Sequence, residues 1–158
     1  MSESDVVLCF AFGVPSSTEP NRYLASHAGG WASVNRLPIV TQPDIAIITP
    51  GVVVVMINPR PGRYLKSIDI ALRFRTIARE RGWRSVSLFA APPHVWRCAR
   101  DLRKLGFVVN HIHRPPRSTR WYDSRSTQIW TRWPFAWWIR EVLLCCLPWF
   151  LYRRLSKE

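Results

Sequence analysis

Lysine and acidic residues are both scarce in this chain. Of 23 Lys and Arg residues only Lys66, Lys104 and Lys157 are lysine, and ten Asp and Glu leave a formal net charge of +13 over 158 residues. That balance excludes an acidic, self-solvating surface. Arginine in place of lysine favours bidentate contact with phosphate or carboxylate over simple solvation. The four cysteines, Cys9, Cys98, Cys145 and Cys146, contain no CxxC pair, and no Cys/His set has zinc spacing. The expectation is therefore buried thiols in a reducing compartment, not a disulfide framework. No carboxylate/His cluster is dense enough for two metals, so metal-assisted hydrolysis has no basis. No run reaches the roughly 20 predominantly apolar residues of a full membrane span. Val6 to Phe12 is too short for a signal-peptide core. A cytoplasmic protein is expected, with peripheral membrane association left open. Internal repeats and low-complexity tracts are absent.

What is present suits a folded domain. Hydrophobic residues make up 47% of the chain, and a chain of this length buries about two-thirds of its unfolded surface. The stretch Ser85 to Val109 reads as strand, tight loop, helix, strand. Val86, Leu88 and Ala90 form a β-prone run, and Pro92-Pro93 stop it and preset φ for a helix start. Val95, Ala99 and Leu102 share one helix face, and Gly106 ends the helix near Lys104. Phe107 to Val109 begins the next strand, completing a βαβ unit. His94 and Arg97 stand three apart in the first helical turn, at the positive end of the dipole. In open α/β folds that end faces the ligand crevice at the carboxyl edge of the sheet. An anion suits it.

The remaining chain fits the same pattern. Asp5 to Phe12 is near-continuously apolar, as a central parallel strand covered on both faces would be. Gly13 and a hydroxyl-rich loop follow, and Asn21 to Ala28 reads as a helix ended by Gly29-Gly30. Asn21 and Arg22, at its start, fit either a cap with a solvated charge or an anion contact. Leu37 to Thr41 is a second strand, with Pro38 marking an edge or a strand start. Asp44 to Ile48 and Gly51 to Ile57 are further apolar runs, and Val52 to Val55 is predicted as strand. After a loop from Asn58 to Arg63, Ser67 reads as the N-cap of a helix from Ile68 to Arg81, stopped by Gly82. Asp69 sits in its first turn, where the dipole favours a carboxylate whether or not it meets a ligand. His111 and His113 share one strand face.

Residues 114–132 read as a basic, irregular segment with Arg114, Arg117, Arg120, Arg125 and Arg132. Arg120-Trp121-Tyr122 suits either base stacking or Arg–Trp packing. Residues 133–158 read as a C-terminal aromatic helix, with Pro134 at its start, Arg140-Glu141 interrupting the apolar run and Pro148 kinking it. Residues 133–155 fit either packing on the domain or a membrane interface, where Trp and Arg153-Arg154 prefer the headgroup zone. Residues 1–113 are then a three-layer Rossmann-like α/β domain, a parallel sheet with helices on both faces.

Ser67-Ile68-Asp69-Ile70-Ala71 and Pro93-His94-Val95-Trp96-Arg97-Cys98-Ala99 resemble two motifs of the SanA/YdcF-like family of bacterial α/β proteins. Asp5 to Leu8 is similar to that family's opening strand, with Gly13 in the glycine-bearing loop, and Arg140-Glu141 resembles the Arg-Glu pair of its C-terminal helix. Cys9 to Gly13 stands where the family has a glycine cluster, and Ile70 where it has an amide. The resemblance implies a Rossmann-like domain, a role in bacterial envelope processes and, for some relatives, nucleotide-type ligands such as S-adenosylmethionine. It carries no reaction.

Two functions follow as expectations. In the first, Gly13, Asn21, Arg22, Ser67, Asp69, His94 and Arg97 converge on one cleft and bind an anionic small molecule. Arg97 would grip phosphate or carboxylate, and His94 would titrate near neutrality as hydrogen-bond donor or general acid, making it the leading catalytic candidate. Asp69 would orient His94 or accept a ribose hydroxyl. Arg97→Ala is expected to fold and lose the ligand, whereas unfolding would mark a structural arginine. In the second, the chain is a basic adaptor on an anionic membrane surface or, less favoured, nucleic acid.

Overall fold

The structure, a computed structural model, describes residues 4–59, 65–116 and 119–154. Part of the loop expected from Asn58 to Arg63, and Arg117, lie outside the described residues. Five strands, β1 (Val6–Cys9), β2 (Ile39–Thr41), β3 (Val54–Met56), β4 (Ser85–Phe89) and β5 (Val108–Ile112), form one sheet. Its order is β3-β2-β1-β4-β5 and every pairing is parallel. The helices are α1 (Glu19–Asn35), α2 (Ser67–Arg81), α3 (Pro92–Lys104), α4 (Pro134–Cys146) and α5 (Trp149–Arg154). This is the three-layer Rossmann-like α/β fold expected.

Alternation along β1 builds the layers. Val6, Leu8 and Phe10 point to one face, where Phe74 of α2 and Leu102 of α3 cover them. Val7 and Cys9 point to the other, against Leu24, Ala28 and Ala32 of α1. No β1 residue is accessible to solvent, which is why the strand reads as a continuous apolar run. The chain builds β1, β2 and β3 outward in one direction, then crosses to β4 on the other side of β1. The reversal between β1 and β4 opens a crevice at their carboxyl ends.

Several elements differ from expectation. Helix α1 runs through Gly29 and Gly30 and ends only at Asn35, with Arg36 in the left-handed region at φ 54°. Gly29 is there for closeness, since a Cβ on it would lie 2.1 Å from Thr49 Oγ1. The segment after β2 packs on the helix at that point. Val52 and Val53 lie outside β3, although Val53 O still accepts from Ile39 N–H of β2 at 2.9 Å. Asp44 to Ile48 forms no strand. β2 lies between β1 and β3, so Pro38 marks a strand start and no edge. Cys9 and Cys98 are buried as expected, but Cys145 and Cys146 are exposed.

The two later segments join the α/β body. In 114–132, Thr127 N–H donates to Val14 O at 2.8 Å, and Trp121 packs against Tyr23 on α1. Trp121 is thereby held among protein side chains. His111 and His113 do share a face, toward α1: His111 stacks on Trp31 at 4.2 Å and His113 on Phe89 at 4.7 Å. In place of the one kinked helix expected after Trp133, Pro148 separates two helices, α4 and α5.

The two helical glycines of α1 differ in a way that can be measured. A Cβ at Gly30 would meet nothing within 4 Å, so Gly30→Ala is expected to stabilise the fold by about 0.5–1 kcal/mol through helix propensity and reduced unfolded-state freedom. Gly29→Ala should forfeit that gain against Thr49. Urea denaturation of both variants checks the contrast.

Candidate functional site

Three backbone segments and two later ones meet at the carboxyl edge around a cavity of about 500 Å³. The loop after β1 contributes Phe10 to Gly13, the chain before and into α2 contributes Leu65, Lys66 and Ser67, and the start of α3 contributes His94 and Arg97. Thr127 to Thr131 and Trp137 and Arg140 of α4 close the remaining side.

The β1 loop is shaped from below. Asn21 is fully buried, accepts from Phe12 N–H at 2.8 Å and donates to Gly13 O at 3.0 Å and Pro15 O at 3.1 Å. Those bonds use its amide on the loop, so Asn21 is a brace and does not line the cavity. Gly13 has φ +86°, and a Cβ on it would stand 2.7 Å from Ser126 Oγ and 2.8 Å from Thr131 Oγ1. Only glycine fits both the dihedral and the approach of the 126–131 segment.

At the start of α2 the N-cap is Lys66, one residue before the expected Ser67. Asp69 accepts the Lys66 N–H at 2.9 Å, the side-chain half of a capping box. Asp69 does not line the cavity, so it neither orients His94 nor reaches a ligand there. The Ser67 hydroxyl is turned to Arg97, which donates to it at 2.5 Å. Arg22 is exposed on α1 and does not line the cavity. Of the seven expected site residues, Gly13, Ser67, His94 and Arg97 meet at the cavity. Asn21, Arg22 and Asp69 do not.

Arg97 is bound more tightly than its place in the first turn suggested. It is 3% exposed. Its Nε donates to Glu141 Oε1 of α4 at 2.8 Å, and Nη1 donates to Tyr152 Oη of α5 at 2.9 Å. The Tyr152 hydroxyl in turn donates to Asp101 Oδ2 at 2.8 Å, and Arg100 donates to the other Asp101 oxygen at 2.9 Å. Burial works against the Arg97 charge, but Tyr152, Cys98 and Glu141 around it more than offset this and push its pKa up. Tyr152 thus stands between Arg97 and Asp101 of the same helix.

His94 lies between rings, stacked on Phe12 at 5.4 Å and tilted against Trp137 at the same separation. It is 3% exposed, and its Nδ1 is buried without a hydrogen-bond partner. Burial, then the charges of Arg97 and Arg140, hold its pKa well below the ordinary imidazole value. It is neutral at neutral pH. This corrects the expectation of a group titrating near neutrality: His94 is no proton donor in the imidazolium sense, but an uncharged hydrogen-bonding group with one nitrogen unspent.

Arg140, Lys66 and the hydroxyls of Thr127 and Thr131 escaped sequence reasoning as site residues, as did the anchoring roles of Glu141 and Tyr152. The one available signal was the Arg140-Glu141 pair interrupting an apolar run. Arg140 lies over the Trp137 ring at 5.2 Å. Burial first, and then Arg97, push its pKa down from the ordinary guanidinium value. Among the described residues no carboxylate comes within ion-pair distance of it. No protein-family model, curated protein or solved structure matches the chain.

Arg97→Met should destabilise the fold by about 3–5 kcal/mol, because it strands the buried Glu141 carboxylate. Adding Glu141→Leu should restore much of that loss, read as coupling in a double-mutant cycle. This reverses the expectation that Arg97→Ala folds normally.

Acid should also unfold the protein early. His94 binds its proton far less readily folded than unfolded, so stability is full above about pH 6.5 and falls as pH drops below it. His113, held down to about 4 by burial and by His27 and His111, acts in the same direction. Thermal melts from neutral to acid pH should show a slope that His94→Phe makes shallower.

Proposed function

We propose that the chain binds an anionic small molecule, phosphate- or carboxylate-bearing and nucleotide-type, in the cavity at the carboxyl edge of its sheet. The reading rests on one observation: every charged side chain lining the cavity, among the described residues, is a cation, namely Lys66, Arg97 and Arg140. Glu141 is bonded to Arg97 and acts on Arg140 only through space, and no carboxylate among the described residues lies within ion-pair distance of Arg140. Two guanidinium groups sharing a desolvated wall raise each other's energy, and an incoming anion relieves that repulsion. Arg140 offers a planar fork for phosphate or carboxylate. Phe10, Phe12, Trp130 and Trp137 provide flat apolar walls against which a planar ring packs.

The position supports the same reading, since the crevice where strand order reverses is where open α/β sheets take their ligands. The family reading is part of the proposal. The segments Ser67 to Ala71 and Pro93 to Ala99, which resemble SanA/YdcF-like motifs, both border this cavity, and a role in a bacterial cell-envelope process comes with that likeness. S-adenosylmethionine enters as a ligand through the resemblance alone. Its sulfonium would find no carboxylate among the lining residues, so a phosphorylated compound suits the wall better.

Thermal melting of the full chain with pyrophosphate, nucleoside monophosphates, sugar phosphates and S-adenosylmethionine tests this. A phosphorylated binder present at a hundred times its Kd should add about 2.7 kcal/mol by mass action. Arg140→Ala should weaken that binding by about tenfold or more, the scale of one lost charge-assisted contact, with the unliganded midpoint little changed. No stabilisation by any anionic compound, or stabilisation indifferent to Arg140→Ala, would overturn the reading.

A further inference from the structure

The C-terminal helices are inside out for a solvated surface. On α4 the polar pair Arg140 and Glu141 faces the body of the protein together with Trp137, while the outward side is apolar. Phe135, Trp138, Ile139, Val142, Leu143 and Cys146 fall on a single stripe about 140° wide at helical spacing. All are exposed, Phe135 to 77% and Leu143 to 64%. Phe150 and Leu151 of α5, and Trp133 just before α4, are exposed as well. A stripe of this kind, opposite a buried charged face, is the reverse of ordinary amphipathic packing. It marks a surface built to be covered.

We propose that the outward face of α4 and α5 docks onto an anionic lipid bilayer. Charge selects that occupant. From Gln128 to Arg154 the only carboxylate is Glu141, which is buried against Arg97. Arg153 and Arg154 are exposed at the end of α5, and Arg103 and Lys104 of α3 are exposed beside it, with Lys104 Nζ 4.9 Å from the Trp149 ring. The apolar stripe is thus bordered by cations and tryptophans, which settle at the headgroup level of a bilayer whose anionic lipids complement the charge. A second copy of the chain fits less well, because self-pairing would bring the same basic borders together on molecules of charge +13. At 13 residues α4 is about 20 Å long at 1.5 Å per residue, short of the roughly 30 Å hydrocarbon core. No helix among the described residues is long and apolar enough to cross a membrane. The helix would lie in the interface plane.

Sedimentation of the full chain with vesicles of phosphatidylcholine, with and without phosphatidylglycerol, tests the proposal. The chain should pellet with the anionic vesicles, with a blue shift of tryptophan emission, and less with phosphatidylcholine alone or at high salt. Trp138→Glu with Leu143→Glu should weaken that binding about tenfold or more by placing charge on the buried face. Val34→Glu, an exposed site on α1, should leave it unchanged. Circular dichroism confirms folding, and Phe150→Glu serves as a second variant. Failure to bind anionic vesicles, or binding indifferent to both stripe variants, would overturn the assignment. So would a dimer that the stripe variants dissociate in a chain that ignores vesicles, since the occupant would then be a second copy.

Discussion

One buried guanidinium holds the C-terminal helices to the α/β body. Arg97 spends Nε on Glu141 of α4 and Nη1 on Tyr152 of α5 and Ser67 of α2, so four helices meet at its head group. Desolvating such a charge costs several kcal/mol unless its donors find acceptors. Two of the acceptors come from α4 and α5, the helices that follow the α/β body in the chain. The position of α4, and with it the fourth wall of the cavity, is set by these bonds together with Trp137, which packs on Phe12 and donates to Pro93 O at the start of α3. The Tyr152 hydroxyl, accepting from Arg97 and donating to Asp101, extends the constraint one helical turn along α3.

That constraint shapes both sides of α4. Turning Arg140 and Glu141 inward makes the cavity wall cationic and leaves Trp137 against His94, whose imidazole is kept neutral by burial and by the neighbouring guanidinium groups. The same rotation turns Phe135, Trp138 and Leu143 outward. A helix with more apolar faces than the protein can cover must expose one of them, and here the covered one is the polar one. The proposed anion site and the proposed lipid-docking surface are opposite faces of one helix, although each stands on its own observation.

Much of the fold was legible because it depends on local periodicity. The apolar run at β1, the prolines opening α3 and α4, the glycines ending α2 and α3, and Pro148 between α4 and α5 all act through backbone dihedrals or alternation, which a linear pattern records. What misled was residue type without context. Gly29 and Gly30 read as a helix stop, yet Gly29 answers to Thr49, twenty positions away. Val52 and Val53 have strand propensity, yet only the Val53 carbonyl reaches β2, accepting from Ile39 N–H. Ser67 has the chemistry of a cap, but the arginine thirty residues on claims its hydroxyl.

The chain alone determined the layers, the parallel sheet, and the meeting of Gly13, Ser67, His94 and Arg97 at one rim, because parallel strands deliver every following loop to the same edge. Tertiary structure decided what those residues do there. Whether an imidazole titrates, whether an arginine is free for a ligand or locked to a carboxylate, and which face of α4 meets solvent all depend on burial and on partners from distant segments. None of those distances is written in the order of residues.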